Sequence, residues 1–301
     1  MSKKIDEIIE STPTDRRNFY QKYSIEEETA RVAYHYEVEP EFFLTLTGGE
    51  WNTYSCSIWE DGFAMTQAQE KKLDKFAKMM RLKPGQHILD VGFGWGGPLV
   101  YLCHKYGVTG HGITVSPMGA PTARERAAKY GVDATFEVMH WQDLPETETY
   151  DAIFSDEVVV HINDLSGFFA KCHKILKPQG IMVHKELHLT HFKHKNWSSD
   201  PLEQHVNKVF GYTGNYRPLY QELELLDQNN FLLRELFEIP LKNYQQTIAD
   251  NWITNMRNNR KRLSEIVPSE YFRNIRIYLK GALLAFKSGF YGLHIVASQR
   301  D

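Results

Sequence analysis

The sequence predicts an α/β fold, a mainly parallel sheet with helices on both faces, and three observations predict it. Short apolar runs of strand length alternate with segments whose apolar residues recur at helical spacing, which is how βαβ units read. The first such run, His87-Ile88-Leu89-Asp90-Val91, ends in an acid. A glycine-rich turn follows, Gly92-Phe93-Gly94-Trp95-Gly96-Gly97-Pro98, and then a new apolar run, Leu99-Val100-Tyr101-Leu102. A buried parallel strand that turns sharply into a helix looks like this. Finally, 301 residues with 42% hydrophobic and 24% charged content are enough for a full core and match a globular chain rather than a disordered one.

Residues 1–50 read as mostly helical and polar, with aromatics interleaved. Ser11-Thr12-Pro13-Thr14-Asp15 is a helix entry, Ile25 to Tyr36 has helical spacing, and Pro40 suits the first turn of a further helix that Gly48-Gly49 ends. The aromatic and hydroxyl-rich stretch Trp51 to Trp59 is too short for a core helix. Thr66-Gln67-Ala68-Gln69 opens a long amphipathic helix with Leu73, Phe76, Ala77, Met79 and Met80 mainly on one side, and Lys83-Pro84-Gly85 ends it.

After the glycine turn and its helix, Val108–Ser116, Ala134–Met139, Tyr150–Ser155 and Ile181–Glu186 read as four more strands with helices between them. Leu232–Ile239 and Phe290–Ser298 make seven. The last returns in hairpin fashion and makes its edge antiparallel. Residues 190–230, rich in His, Lys, Asn and Tyr, break the rhythm and read as a helical cap over the crevice. Two helices, roughly 245–262 and 268–287, precede the final strand.

Charge and composition exclude several classes. A net charge of −3 gives no general attraction to nucleic acid or to anionic membranes. No apolar run reaches the roughly 20 residues of a spanning helix, and Met1-Ser2-Lys3-Lys4-Ile5-Asp6 lacks a signal-peptide apolar region. Three cysteines, Cys56, Cys103 and Cys172, make no disulfide framework, and a reducing, cytoplasmic setting is expected. No metal site is expected. His188, His191 and His194 at i, i+3, i+6 do not hold one helical face, and a solvated lid edge or anchors for an anionic group account for them.

The glycine turn admits three ligands. A dinucleotide wants G-x-G-x-x-G, whereas the spacing from Gly92 is G-x-G-x-G-G. A P-loop needs G-x-x-x-x-G-K-[ST], which is absent. S-adenosylmethionine needs close backbone approach for its methionine part, polar groups for the ribose and an apolar slot for adenine. A bare strand-to-helix junction with no ligand is the plain alternative.

Asp90-Val91-Gly92-Phe93-Gly94-Trp95-Gly96-Gly97 resembles motif I of class I S-adenosylmethionine-dependent methyltransferases, and Leu176-Lys177-Pro178-Gln179-Gly180-Ile181 resembles their late helix-to-strand motif. More narrowly, the chain resembles the branch of the cyclopropane-fatty-acid synthases and mycolic acid cyclopropane synthases. Thr53-Tyr54-Ser55-Cys56, Trp95, the segment Asn243-Tyr244 to Trp252, and Tyr278-Leu279-Lys280-Gly281-Ala282 with Phe286 carry that likeness, from about residue 33 to the end. The resemblance implies a Rossmann-like, seven-stranded class I methyltransferase sheet with an N-terminal helical lid and an inserted helical cap. It divides the chain into a lid segment (1–75), an S-adenosylmethionine-binding core (76–190), the cap (190–230) and the C-terminal part of the core (231–301).

It also implies the site. Gly92 and Gly94, with Asp90 and Trp95 of the same motif, lie under the methionine part of the cofactor, and Tyr54 and Ser55 hold its polar end. Thr114 and Val115 flank ribose and adenine, and Trp141 and Gln142 sit by adenine. The branch commonly has a Gln for the ribose where this chain has Gly119. Cyclopropane synthases bind bicarbonate through a Cys, a Glu, a His and a Tyr. Cys56 and Tyr244 are retained here, but the Glu falls on Val160, beside His161, and the His falls on Lys185, or on His184 if the alignment slips by one. Bicarbonate is therefore in doubt.

What this chain has instead is Glu157. Ser155-Asp156-Glu157 with His161 resembles the pattern of terpenoid alkene C-methyltransferases and alkaloid N-methyltransferases. Candidate catalytic residues are Glu157, as base or cation stabiliser, with Tyr244, Cys56 and His161. The plainer readings are a helix cap for Glu157, a polar wall for Cys56 and a buried structural ring for Tyr244. The expected partner is a hydrophobic small molecule, lipid-like or terpenoid, methylated at an alkene carbon. Alternatives are a hydrophobic alkaloid-like amine and a methyltransferase-like protein that binds without catalysing. A homo-oligomer is compatible with the aromatic N-terminal segment.

Overall fold

The computed structural model describes residues 24–146, 150–191 and 215–301. The strands are β1 (His87–Val91), β2 (Thr109–Thr114), β3 (Ala134–Val138), β4 (Tyr150–Asp156), β5 (Leu176–Leu189), β6 (Arg217–Pro218), β7 (Phe231–Glu238) and β8 (Tyr291–Arg300). They form one sheet in the order β3-β2-β1-β4-β5-β8-β7, with β6 paired to β5 off that path. The count is thus eight rather than seven. The extra strand is two residues long and lies where the composition reads as cap.

β1 pairs in parallel with β2 and β4, and β4 with β5. β8 is antiparallel to both β5 and β7. The chain's end therefore inserts between two earlier strands instead of adding an edge, and only long-range pairing, not local sequence, decides that.

The helices are α1 (Ile25–Tyr36), α2 (Pro40–Thr47), α3 (Met65–Met80), α4 (Gly97–Tyr106), α5 (Ala120–Tyr130), α6 (Leu165–Ile175), α7 (Leu219–Gln228), α8 (Leu241–Gln245), α9 (Ile253–Asn258), α10 (Arg260–Ile266) and α11 (Ser269–Lys287), with a π-helical run Gln246–Trp252 between α8 and α9. They cover both faces of the sheet. One core gathers Phe76 of α3, Val100 of α4, Ala123 of α5 and Leu279 of α11, and the other gathers Phe168 and Phe169 of α6 with Leu226 of α7.

α1 begins at a capping box in which the Ser24 hydroxyl accepts from the Glu27 amide and the Glu27 carboxylate accepts from the Ser24 amide. The line drawn between residues 75 and 76 falls inside α3. Of the cap expected over 190–230, residues 192–214, with His194, lie outside the described residues. The described remainder includes α7, which packs on β7 and α6. Residues 1–23, including the helix entry at Ser11, also lie outside the described residues.

Candidate active site

The turn after β1 opens a cleft at the carboxyl ends of the parallel strands, where open α/β sheets bind ligands. It encloses about 1170 Å³, its mouth included. Gly92 has φ +85°, and a Cβ there would meet Val158 Cγ2 at 2.4 Å. Gly119 approaches the turn even more closely, since a Cβ on it would lie 1.8 Å from the Gly94 carbonyl oxygen. A Gln side chain at 119 is thus sterically excluded, and the ribose must find other partners.

Tyr54, Ser55, Asp90, Gly92, Gly94, Trp95, Thr114, Val115 and Trp141 all line this cleft, as do Ser116, His140 and Glu28. Gln142 is not among the lining residues. Its amide donates back to His140 Nδ1 at 3.3 Å, so the wall there is His140 and Trp141. Glu28, on α1, accepts from the Asn163 amide at 2.8 Å and lies 3.3 Å from His140 Nε2. It drapes the N-terminal helix across the cleft. No local motif marked it, because its role depends on where α1 lands.

The cleft fits S-adenosylmethionine on its own chemistry. Asp90 Oδ2, Ser116 Oγ and Trp141 Nε1 are buried, line it, and have no protein partner among the described residues. Buried polar atoms without partners are costly. Burial, with the nearby charge of Asp156, holds the Asp90 carboxyl well above the usual carboxylate range. A ligand offering an ammonium donor, ribose hydroxyls and a planar base would satisfy all three atoms.

Beneath Tyr54-Ser55-Cys56 runs a buried ladder of alternating charge. Lys72 Nζ of α3 lies 2.6 Å from Asp156 Oδ2 and donates to Ser55 Oγ at 2.6 Å, and the Ser55 hydroxyl donates to the same carboxylate at 2.6 Å. Asp156 Oδ1 pairs with Lys185 Nζ at 2.9 Å, and Lys185 pairs with Glu157 Oε1 at 2.7 Å. Lys185 also donates to the Cys56 carbonyl at 2.7 Å, while the Cys56 amide donates to Glu157 Oε1 at 2.8 Å. Lys72 and Lys185 are both fully buried.

Burial alone would push the Lys185 ammonium down, but Asp156 and Glu157 outweigh it and hold it above its ordinary range. Burial would raise Asp156, but Lys185 and Lys72 hold it below the usual range. Glu157 sits at φ +59°, a left-handed conformation that costs a non-glycine residue about 1–2 kcal/mol. Its carboxylate is thereby turned back toward Cys56 and Lys185 instead of capping a helix.

Strand alternation sends Lys185 and His184 of β5 to opposite faces of the sheet. Lys185 faces this ladder. His184 faces the opposite side of the sheet, where Glu222 of α7 accepts from His184 and His188 at 2.7 and 3.0 Å. Val160 offers no polar side-chain atom, and Lys185 is already engaged three times. The residues present do not fit a bicarbonate cage.

A second pocket, about 740 Å³, adjoins the cleft. Tyr36, Tyr54, Glu157 and His161 line both spaces, so Glu157 stands in the shared wall. The rest of the pocket is largely aromatic and aliphatic: Tyr216, Tyr244, Trp252 and Tyr278 with Val160, Leu187, Ile248 and Leu279, and Cys56 beside them. Trp252 stacks on Tyr54 at 5.1 Å between ring centroids, and Phe286 stacks behind Tyr244 at 3.6 Å. Burial pushes the Cys56 thiol up to about 12 and His161 down to about 4. At neutral pH, Cys56 is thus a protonated thiol and no nucleophile, and His161 is a neutral imidazole. Burial likewise raises the Tyr244 phenol well above its ordinary value, keeping it a donor.

The π-helical run staples this pocket to the aromatic stretch. Thr247 Oγ1 accepts from Trp59 Nε1 at 2.9 Å and from the Ser57 amide at 3.2 Å, and Asn243 Oδ1 accepts from the Trp59 amide at 2.7 Å. Among the described residues no group of side chains could hold a metal ion, and no helix is long and apolar enough to cross a membrane.

The chain is similar to known proteins in sequence and in fold. The family model for mycolic acid cyclopropane synthetase matches residues 23–296. The chain is 31% identical over 203 residues to the cyclopropane-fatty-acyl-phospholipid synthase of Escherichia coli K12, covering 67% of this chain and 50% of that protein. It is 25% identical over 284 residues to cyclopropane mycolic acid synthase 1 of Mycobacterium tuberculosis, covering 90% and 97%. The chain thus spans about half the length of the Escherichia coli relative. Among solved structures, a mycolic acid cyclopropane synthase complexed with SAH and CTAB superposes with a TM-score of 0.83 at 22% identity, covering 93% of this chain and 99% of that one. Coclaurine N-methyltransferase superposes at 0.73 and 16%, covering 98% and 92%, so the two likenesses together show the class I methyltransferase fold. On the family match over residues 23–296, the chain belongs to the mycolic acid cyclopropane synthetase family.

Proposed function

We propose that this protein is an S-adenosylmethionine-dependent methyltransferase acting on an alkene carbon of a hydrophobic, lipid-like or terpenoid acceptor. One observation carries the reading: Glu157 is the carboxylate in the wall shared by the donor cleft and the aromatic pocket. S-adenosylmethionine supplies an electrophilic methyl group when bound in the cleft. Asp90, Ser116 and Trp141 hold it there, with Tyr54 and Ser55 above.

The chain's own residues do the rest. The aromatic pocket positions the alkene and excludes water. The alkene π pair would form the new carbon–carbon bond to the methyl carbon as that carbon's bond to sulfur breaks and its pair leaves with the sulfur, and the positive charge would then lie on the neighbouring alkene carbon. The faces of Tyr54, Tyr244 and Trp252 and the Glu157 carboxylate stabilise that charge. Glu157 then takes a proton from the cation, and the released C–H pair forms a bond to the cationic carbon. Lys185 and the Cys56 amide hold the carboxylate in place for both tasks.

The same aromatic wall with one carboxylate also suits an amine acceptor, and the test separates the two. Replacing Glu157 by Gln keeps the size and removes the base. For an alkene acceptor, turnover with labelled methyl donor falls by about 100-fold, while calorimetric binding of S-adenosylhomocysteine is unchanged. Near-normal turnover in Glu157→Gln would favour an amine, whose proton can leave to solvent.

A further inference from the structure

The outer face of α11 carries a feature that methyl transfer does not use. Past its first two residues, the exposed Ser269 and Glu270, its exposed residues are Arg273, Arg276, Ile277, Lys280, Leu284 and Lys287. At 3.6 residues per turn they fall within an arc of about 100°. The stripe holds four cations with one acid at its edge, Glu270, 3.9 Å from Arg273, and between the cations Ile277 and Leu284 are 39% and 63% exposed. Aliphatic side chains left in water amid lysines and arginines make an interfacial helix face, able to sink its apolar residues among headgroups while its cations meet lipid phosphates.

The neighbouring helices extend it. α10 packs against α11, and Arg257, Arg260 and Lys261 are exposed beside it. Residues 253–287 contain eight Lys or Arg and two Asp or Glu, in a chain whose net charge is −3. The positive charge is thus concentrated in this segment of an otherwise acidic chain.

The inner face of the same helix supplies Tyr278 and Leu279 to the aromatic pocket. We infer that the α10–α11 face docks on an anionic lipid bilayer, which sets the acceptor pocket one helix away from the lipid surface. Exposed aliphatics favour a bilayer over a nucleic acid, which would be met by charge alone. The inference rests on the reading of the acceptor as lipid-like and deepens it.

The test is sedimentation of the full chain with vesicles, read without turnover. With phosphatidylcholine vesicles containing about one-third phosphatidylglycerol, the protein co-sediments at low salt. It stays in the supernatant with pure phosphatidylcholine, and about 0.5 M salt releases it. Arg276→Glu/Lys280→Glu weakens binding by about tenfold or more, and Leu284→Asp weakens it without changing the number of cations. Lys129→Glu/Lys174→Glu, with the same change in net charge on α5 and α6, does not. Calorimetric binding of S-adenosylhomocysteine reports that each variant is folded.

Absence of binding to the anionic vesicles overturns the proposal. So does equal binding by the α11 and control variants, or capture of nucleic acid in place of vesicles. Because no turnover enters, failure of the alkene-methylation reading leaves the vesicle result interpretable, and the reverse also holds.

Discussion

Lys72 is the residue on which the site's polar architecture turns. It lies on the apolar stripe of α3 at i+4 from Ala68 and i−4 from Phe76, a place where a cation must be paired if it is buried. That misplaced cation was visible in the sequence, but its partner, Asp156, is 84 residues away and only the fold names it. Burial pulls the Lys72 ammonium down, and Asp156 only partly offsets it. Removing one member of a buried ion pair leaves the other uncompensated, at a cost of about 3–5 kcal/mol. Lys72→Met is therefore expected to lower the urea unfolding free energy by about 3 kcal/mol. It should also weaken S-adenosylhomocysteine binding, because Ser55 loses one of its two partners. Asp156→Asn alone should cost a similar amount, and the double variant should cost clearly less than the sum of the singles. Strict additivity would mean that the two charges do not sense each other and would remove the ladder as a unit.

At the scale of the element, the π-helical run Gln246–Trp252 connects the donor side to the acceptor side. π-helical turns are rare and are often found at functional sites. Here the wider turn lets Thr247 keep its own bond to the Asn243 carbonyl at 2.8 Å while accepting from Trp59 and Ser57. The sequence readily marks this segment as helical, and its likeness to a family segment marks it as important. The wider turn is not legible there, because it follows from contacts with a stretch almost 190 residues earlier. Thr247→Val keeps the shape and strands two donors, the Trp59 indole and the Ser57 amide. Each buried donor left without a partner costs about 1–3 kcal/mol. The expected loss is thus about 2–4 kcal/mol in stability, with faster hydrogen exchange at Ser57 and Trp59 while β1 and β4 keep their protection. Uniform loss of protection across the sheet would instead show that the staple is part of the global folding unit.

At the scale of the whole molecule, the alternation of strands and helices was legible because each parallel strand is a short apolar run bounded by turn residues. The glycine turn was legible because backbone approach restricts the side chain allowed there. β8 lying between β5 and β7, and Lys185 rather than His184 facing the site, were not legible, since both depend on pairing between distant strands. The same long-range burial sets how the molecule responds to acid. Burial holds His161 at about 4 and His294 also at about 4, against an ordinary value near 6.5. Between those values the unfolded chain binds more protons than the folded one, so stability falls as the pH is lowered through that window. His161 and His294 are both partly exposed, so with solvent screening the linked loss is at most about 3 kcal/mol for each. Asp90 and Glu186, raised by burial, act in the opposite sense: folding takes up their protons, so they favour the folded state more as the pH drops. The two sets can be told apart by substitution. Urea midpoints measured from pH 7 to pH 4 should fall steeply for the unmodified chain and less steeply for His161→Asn. Asp90→Asn should steepen the fall, because it removes a group that opposes it. If His161→Asn leaves the slope unchanged, the imidazole is charged inside the folded protein, and its place in the wall between donor and acceptor would have to be argued as a cation rather than as a neutral base.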